Sequence, residues 1–253
     1  MRLPISSLEA ELRPLTGLVD AYLAESGGTD AAAAVELLDR LVLGGGSVRR
    51  LPVPDIEALM VELRRRVFGD RVLTSTNCRQ PGCGARVEIE FNLADFLAHY
   101  QPAPVRGVGA DPEQPGWFTM ADTPLRFRVP TADDQIEAAL AANPVAFLAR
   151  RTMAPPDLPA KLRRRAERAM EKMAPTLSTE LRGVCPDCGV ELSVAFDVCS
   201  FILTELRQQA AFLFEDVHTL ASVYHWPEHE ILALPSARRA RYAVMVQKTR
   251  ENA

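Results

Sequence analysis

The sequence predicts a mixed α+β chain, mostly helical, whose small antiparallel sheet is built from two copies of one cysteine-turn–strand–helix unit. Three observations predict it. Four of the five cysteines fall in two tight pairs, Cys78/Cys83 and Cys185/Cys188, each followed by a glycine, Gly84 and Gly189. Each pair runs into the same pattern: Val87, Ile89, Phe91, Asn92, Phe96 after the first, and Leu192, Val194, Phe196, Asp197, Phe201 after the second. The offset between the copies is a constant 105 residues, taking Cys83 to Cys188, Phe91 to Phe196 and Phe96 to Phe201, as an internal duplication requires.

The first 52 residues read as a helical segment and linker. Leu15–Leu23 is a short apolar-periodic piece, and Thr29 and Asp30 offer caps for a helix over 31–43 that the run Gly44-Gly45-Gly46 stops. Residues 53–253 read as a second domain. Pro54 and Asp55 open a helix with Ile56, Leu59, Met60 and Leu63 on one face, ending at Gly69. Copies of the duplicated unit lie near 70–100 and 177–215. In the first, 71–76 and 85–91 are strands and Asn92 caps a helix to Tyr100; in the second, Asp197 caps one long helix through Phe201, Leu206, Phe212 and Leu213. The insert 101–176 carries a hairpin around Asp122-Thr123, a helix capped by Thr131 and a charged helix holding Arg163, Arg164, Arg165 and Arg168. The segment 216–253 is helical, with Pro227 and Pro235 each opening a new helix.

Composition bounds the function. With 253 residues and 47% hydrophobic content there is material for a sizeable core. A net charge of -4 and a pI near 5.7 argue against a dedicated nucleic-acid binder. No apolar run reaches the roughly 20 residues of a membrane helix, and the start lacks the apolar core of a signal peptide, so a cytoplasmic protein is expected, free or incorporated into a larger particle. No Gly-x-Ser-x-Gly elbow or Gly-x-Gly-x-x-Gly loop is present, and no enzyme or small-molecule substrate is expected.

The cysteines carry the chemistry. A knuckle places two thiolates on a tight turn, with a glycine letting the backbone fold round sulfur. One pair supplies half a tetrahedron. Two pairs supply a closed four-thiolate site, structural rather than catalytic, so Cys78, Cys83, Cys185 and Cys188 are expected to share one structural zinc. Cys199 falls on the apolar side of its helix and reads as a buried core thiol. His225-Trp226-Pro227-Glu228-His229 matches the His-x-x-Glu-His pattern of some zinc peptidases, but Pro227 breaks the single helix face that chemistry needs.

The run Asp216-Val217-His218-Thr219-Leu220-Ala221, then Tyr224-His225-Trp226, Glu230-Ile231-Leu232-Ala233-Leu234-Pro235 and Arg238-Arg239…Tyr242 resembles the ending of the baseplate-hub protein family of T-even-type contractile-tailed phages and phage-like contractile injection systems. Phe127-Arg128-Val129-Pro130-Thr131-Ala132-Asp133-Asp134 is similar to that family's middle motif, and the paired knuckles to its cysteine pattern. The resemblance covers residue 50 to the end. It implies a non-enzymatic structural or assembly role in a baseplate, with other baseplate or tail-hub proteins as partners. Tyr224, Trp226, Ile231, Leu232, Leu234, Arg238, Arg239 and Tyr242 are the residues expected to anchor such partners, unless they close the chain's own core. The alternative is a zinc-ribbon nucleic-acid-binding or regulatory protein, with Arg163–Arg168 and Arg238–Arg241 on phosphate.

Overall fold

The computed structural model describes residues 1–44, 46–156 and 158–251; Gly45, in the middle of the glycine run, lies outside them. In chain order the elements are β1 (Glu11–Leu12), α1 (Gly17–Glu25), α2 (Ala31–Leu41), β2 (Val42–Leu43), α3 (Val53–Phe68), β3 (Arg71–Asn77), β4 (Arg86–Asn92), α4 (Leu93–His99), β5 (Val108–Ala110), β6 (Trp117–Met120) and β7 (Arg126–Arg128). There follow α5 (Ala132–Ala139), α6 (Pro144–Thr152), β8 (Met153–Ala154), α7 (Ala160–Met173), β9 (Thr179–Val184), β10 (Glu191–Phe196), α8 (Val198–Ala210), α9 (Leu213–Tyr224), α10 (Glu228–Ala233) and α11 (Ser236–Glu251). They fall into two compact units, residues 1–9 with 46–198, and residues 10–45 with 199–253. In this grouping β1, α1, α2 and β2 fall with the C-terminal helices.

In the first unit, α3 is buried on nearly every side, Leu59, Met60 and Val61 completely. A helix buried all round must satisfy its polar side chains internally. Asp55 accepts the backbone N–H groups of Ile5 (2.8 Å) and Ser6 (2.9 Å). Glu57 accepts the N–H of Leu177 (2.7 Å) and the hydroxyl of Ser178 (2.9 Å). Arg64 donates to the carbonyl of Gly69. Two segments far apart in sequence, 5–6 and 177–178, are thus tied to one helix.

The expected single small sheet is instead several. β3 pairs only with β4 and β9 only with β10, as two separate antiparallel hairpins. They meet through side chains: Phe91 and Phe196 lie edge to face at 5.5 Å, with Phe96 5.7 Å from Phe196. Among the described residues the ladder of one hairpin makes no hydrogen bond to the other, and the two remain separate sheets. The hairpin expected around Asp122 does form, with Asp122 at φ 62°, and belongs to a four-stranded sheet ordered β5-β6-β7-β8 whose outer strands sequence periodicity missed. Phe127, Met120 and Met153 of that sheet, with Leu125 just before β7, pack on Ala166 and Ala169 of α7.

The middle motif is a structural latch. Phe127 is fully buried, Thr131 caps α5 in a capping box with Asp134, and Arg128 reaches Asp134 through two nitrogens, one at 2.9 Å. Asn92, by contrast, occupies the N-cap of α4 without a side-chain cap bond. The long helix expected after Asp197 breaks into α8 and α9. The N–H of Phe212 bonds back only three residues, to Gln209, tightening the last turn so that the chain redirects before α9 begins.

In the second unit, Leu220, Ile231 and Val246 form a core with Trp226 and Tyr242 against it. Arg239 is 3% exposed and sits between Asp20 (2.8 Å) and Asp216 (3.0 Å). Burial pushes the Asp216 carboxyl above its ordinary value, although Arg239 opposes the shift. The strand-like stretch around Pro235 lies on Thr16, and Gly17 packs so closely on Leu232 that a Cβ there would stand 2.7 Å from the Leu232 Cα.

Candidate metal centre

The centre is assembled at the tips of the two hairpins. In the first, Cys78 donates its backbone N–H to the carbonyl of Ala85 (2.8 Å) and Cys83 to that of Gln80 (3.0 Å). In the second, Cys185 donates to Val190 and Gly189 to Cys185, both at 2.9 Å. Gly84 (φ 64°) and Gly189 (φ 74°) take left-handed backbone directly after the second cysteine of each pair, the position where a Cβ would be strained. The wider first turn uses one more left-handed glycine, Gly82 (φ 83°).

The tips bring all four sulfurs together, each within 4.8 Å of the others. The pairs are crossed: Cys78 Sγ is 3.7 Å from Cys188 Sγ, and Cys83 Sγ is 3.8 Å from Cys185 Sγ. A tetrahedral site with metal–sulfur bonds of about 2.3 Å has edges of about 3.8 Å, so the donor set fits such a metal in size as well as in chemistry. Cys78 and Cys185 are buried, Cys83 is half-buried and Cys188 exposed.

The electrostatics agree. Backbone N–H groups of Cys188 and Asp187, set against burial, draw the Cys185 thiol down to about 7. The Ala85 amide favours a Cys83 thiolate, but burial and the sulfurs of Cys188, Cys78 and Cys185 outweigh it and push that thiol up to about 12. Thiolates at this spacing repel one another unless a cation stands among them. Four sulfurs supply a complete tetrahedral donor set by themselves.

The other expected residues separate into two groups. Ile231 (0% exposed) and Arg239 lie inside the second unit, not on a partner surface but on the alternative side of that expectation: one is core, the other sits between buried Asp20 and half-buried Asp216. Leu232 and Leu234 are half-buried against the start of α1, where Leu234 accepts the N–H of Gly17. Tyr224 (39% exposed) stacks on Trp226 at 4.9 Å, and Tyr242 meets Trp226 edge to face at 5.5 Å. Arg238 is exposed. His225 is the left-handed C-cap of α9 (φ 57°), while His229 belongs to α10, so the His-x-x-Glu-His match spans a helix break. Cys199 is half-buried rather than a core thiol. The Glu57 clamp and the Asp20–Arg239–Asp216 cluster escaped sequence reasoning; Asp20 alone left a signal, an acid within an apolar stretch.

Compared with known protein families, the chain matches the one described as T4 bacteriophage base plate protein over residues 7–151, more than half its length. The match begins within the first 50 residues, which the resemblance leaves unmatched. It takes in the first knuckle and the middle motif and ends before Cys185 and the C-terminal run. No curated protein and no solved structure matches the chain.

Proposed function

Because the chain belongs to the T4 bacteriophage base plate protein family, we propose that it is a non-enzymatic structural or assembly protein in the baseplate of a phage-like contractile tail or injection system. Family membership is the observation that carries this reading. The protein works by contacts with other baseplate or tail-hub proteins. One surface for those contacts is the C-terminal segment, where exposed Tyr224 and Arg238 and the half-buried rings of Trp226 and Tyr242 combine the aromatic and guanidinium groups that most often anchor interfaces. The body is a duplicated pair of knuckle–strand–helix units stapled by one structural zinc. The all-sulfur donor set, the closed geometry and edges near 3.8 Å support zinc.

Co-purification tests the role. The tagged chain, expressed with its neighbouring tail genes, is expected to bring down tail-tube, spike or baseplate proteins; an assembled particle lacking it and still functional would refute the role. Arg238→Glu and Trp226→Ala are expected to weaken that association while leaving the far-ultraviolet spectrum unchanged. Metal analysis is expected to give about one zinc per chain, and Cys83→Ser and Cys188→Ser each to abolish it. Metal surviving both changes would disprove the shared site.

A further inference from the structure

We propose that the α6–α7 face of the first unit docks an amphipathic helical segment of a partner protein, one carrying an apolar face, a basic row and an acidic row side by side. The surface is distinct in sequence from the C-terminal segment considered above, and the inference stands whether or not that segment binds anything.

Three bands follow one another round α7 at 100° per residue. Ala166 and Ala169 face the core. Glu167, Met170 and Glu171 line a cavity of about 560 Å³ whose other walls include Leu148 and Met153. Lys161, Arg165, Arg168 and Lys172, spaced four, three and four residues apart, form one exposed row along the remaining side, with Arg164 beside it. None of these five cations is paired with a carboxylate among the described residues, and Glu167 is paired with Arg163 at 3.6 Å. Like charges one turn apart destabilise a helix, so an unpaired row of them opposes the fold that carries it.

The row and the cavity adjoin, and their chemistry differs in the way an amphipathic partner needs. The cavity is large enough for several apolar side chains, and its methionines adapt to the shape of what enters. Val145 on its rim is 67% exposed. Glu167 and Glu171 lie between cavity and cation row, where they would repel a phosphate backbone but would meet a basic residue flanking an apolar face. The acidic balance of the whole chain likewise disfavours a polyanion. A partner helix with an apolar face for the cavity, a basic row for Glu167 and Glu171 and an acidic row for the cations satisfies all three at once.

The probe is a fluorescein-labelled helical peptide with that three-band pattern, titrated with the full chain and read by anisotropy. It is expected to bind at least about tenfold more tightly than a scrambled peptide of the same composition. The variant Lys161→Glu/Arg165→Glu/Arg168→Glu/Lys172→Glu alters only exposed positions and is expected to weaken binding by about tenfold or more, with affinity regained when the peptide's acidic row is changed to lysine. Val145→Asp, at the cavity rim, is expected to weaken binding without touching the row. Equal binding of patterned and scrambled peptides would overturn the proposal. So would tight binding of a short DNA duplex that falls steeply with salt and is lost in the charge-reversed variant, which would give the row to nucleic acid. Self-association lost in that variant would give the face to a second copy of the chain.

Discussion

At the scale of single residues, two positions show how strongly context decides a side chain's task. Gly17 opens α1, and its role is one of space: a methyl group there would meet the Leu232 backbone at 2.7 Å, which no rotamer change relieves. Gly17→Ala is expected to destabilise the second unit by about 1–3 kcal/mol, read as a lowered urea midpoint; an unchanged midpoint would show that α1 and α10 shift apart freely. Asp134 is the second. Burial disfavours its charge, but Arg128 and the Thr131 N–H outweigh burial and hold its carboxyl down at about 2, against an ordinary 3.8. Because the folded value lies below the unfolded one, the stabilisation is complete above about pH 4 and is lost as pH falls towards 2. It amounts to on the order of 2 kcal/mol at neutral pH. Asp134→Asn is therefore expected to cost most of its stability difference at pH 6 and little near pH 2, a convergence that denaturant titrations across pH would reveal.

At the scale of elements, α3 and α11 carry buried polar groups whose partners come from other parts of the chain. Arg239 on α11 neutralises Asp20 of α1 and Asp216 of α9, and Ser236 adds a hydrogen bond to Asp20. Truncating the arginine leaves two carboxylates without their cation in an apolar setting. Arg239→Ala is expected to destabilise the second unit by about 3–5 kcal/mol, whereas Arg238→Ala, one residue away and exposed, should change stability by no more than about 0.5 kcal/mol. Equal effects of the two in thermal unfolding would contradict the burial that separates them. The sequence does not distinguish these neighbouring arginines, because their difference lies in the rotation of α11 against α1 and α9.

At the scale of the whole molecule, the metal centre joins two hairpins whose cysteines stand about a hundred residues apart in the chain. Among the described residues the hairpins share no backbone ladder, and each alone is a two-stranded ribbon, a form marginally stable in water. Side-chain packing between Phe91, Phe96 and Phe196 holds them together, and a metal among the four clustered sulfurs would add its bonds to that packing. Structural zinc of this kind contributes on the order of 10 kcal/mol to folding. Removing metal with a strong chelator is therefore expected to strip hydrogen-exchange protection from β3–β4 and β9–β10 first, with the β5–β8 sheet and its α7 packing the more resistant part of the unit. Protection unchanged in both hairpins after complete metal loss would show that the aromatic cluster suffices.

The sequence by itself determined what depends on near neighbours. The spacing of each cysteine pair and the glycine after it specify the tight turns, and the alternation of Val87, Ile89 and Phe91 specifies a half-buried strand. The Thr131–Asp134 capping box and the caps at Asp30 and Gly69 mark helix ends. The constant 105-residue offset even pointed to a common site for the four cysteines. Only the tertiary structure decided that the hairpins meet as separate ribbons with crossed sulfur pairs, and that Ile231 and Arg239 face inward while Tyr224 stays exposed. It also decided that Glu57 ties Leu177 and Ser178 to a buried helix. Those outcomes are set by which face of one element packs on which face of another. That choice depends on the burial of residues tens to hundreds of positions apart, and local propensity carries no record of it.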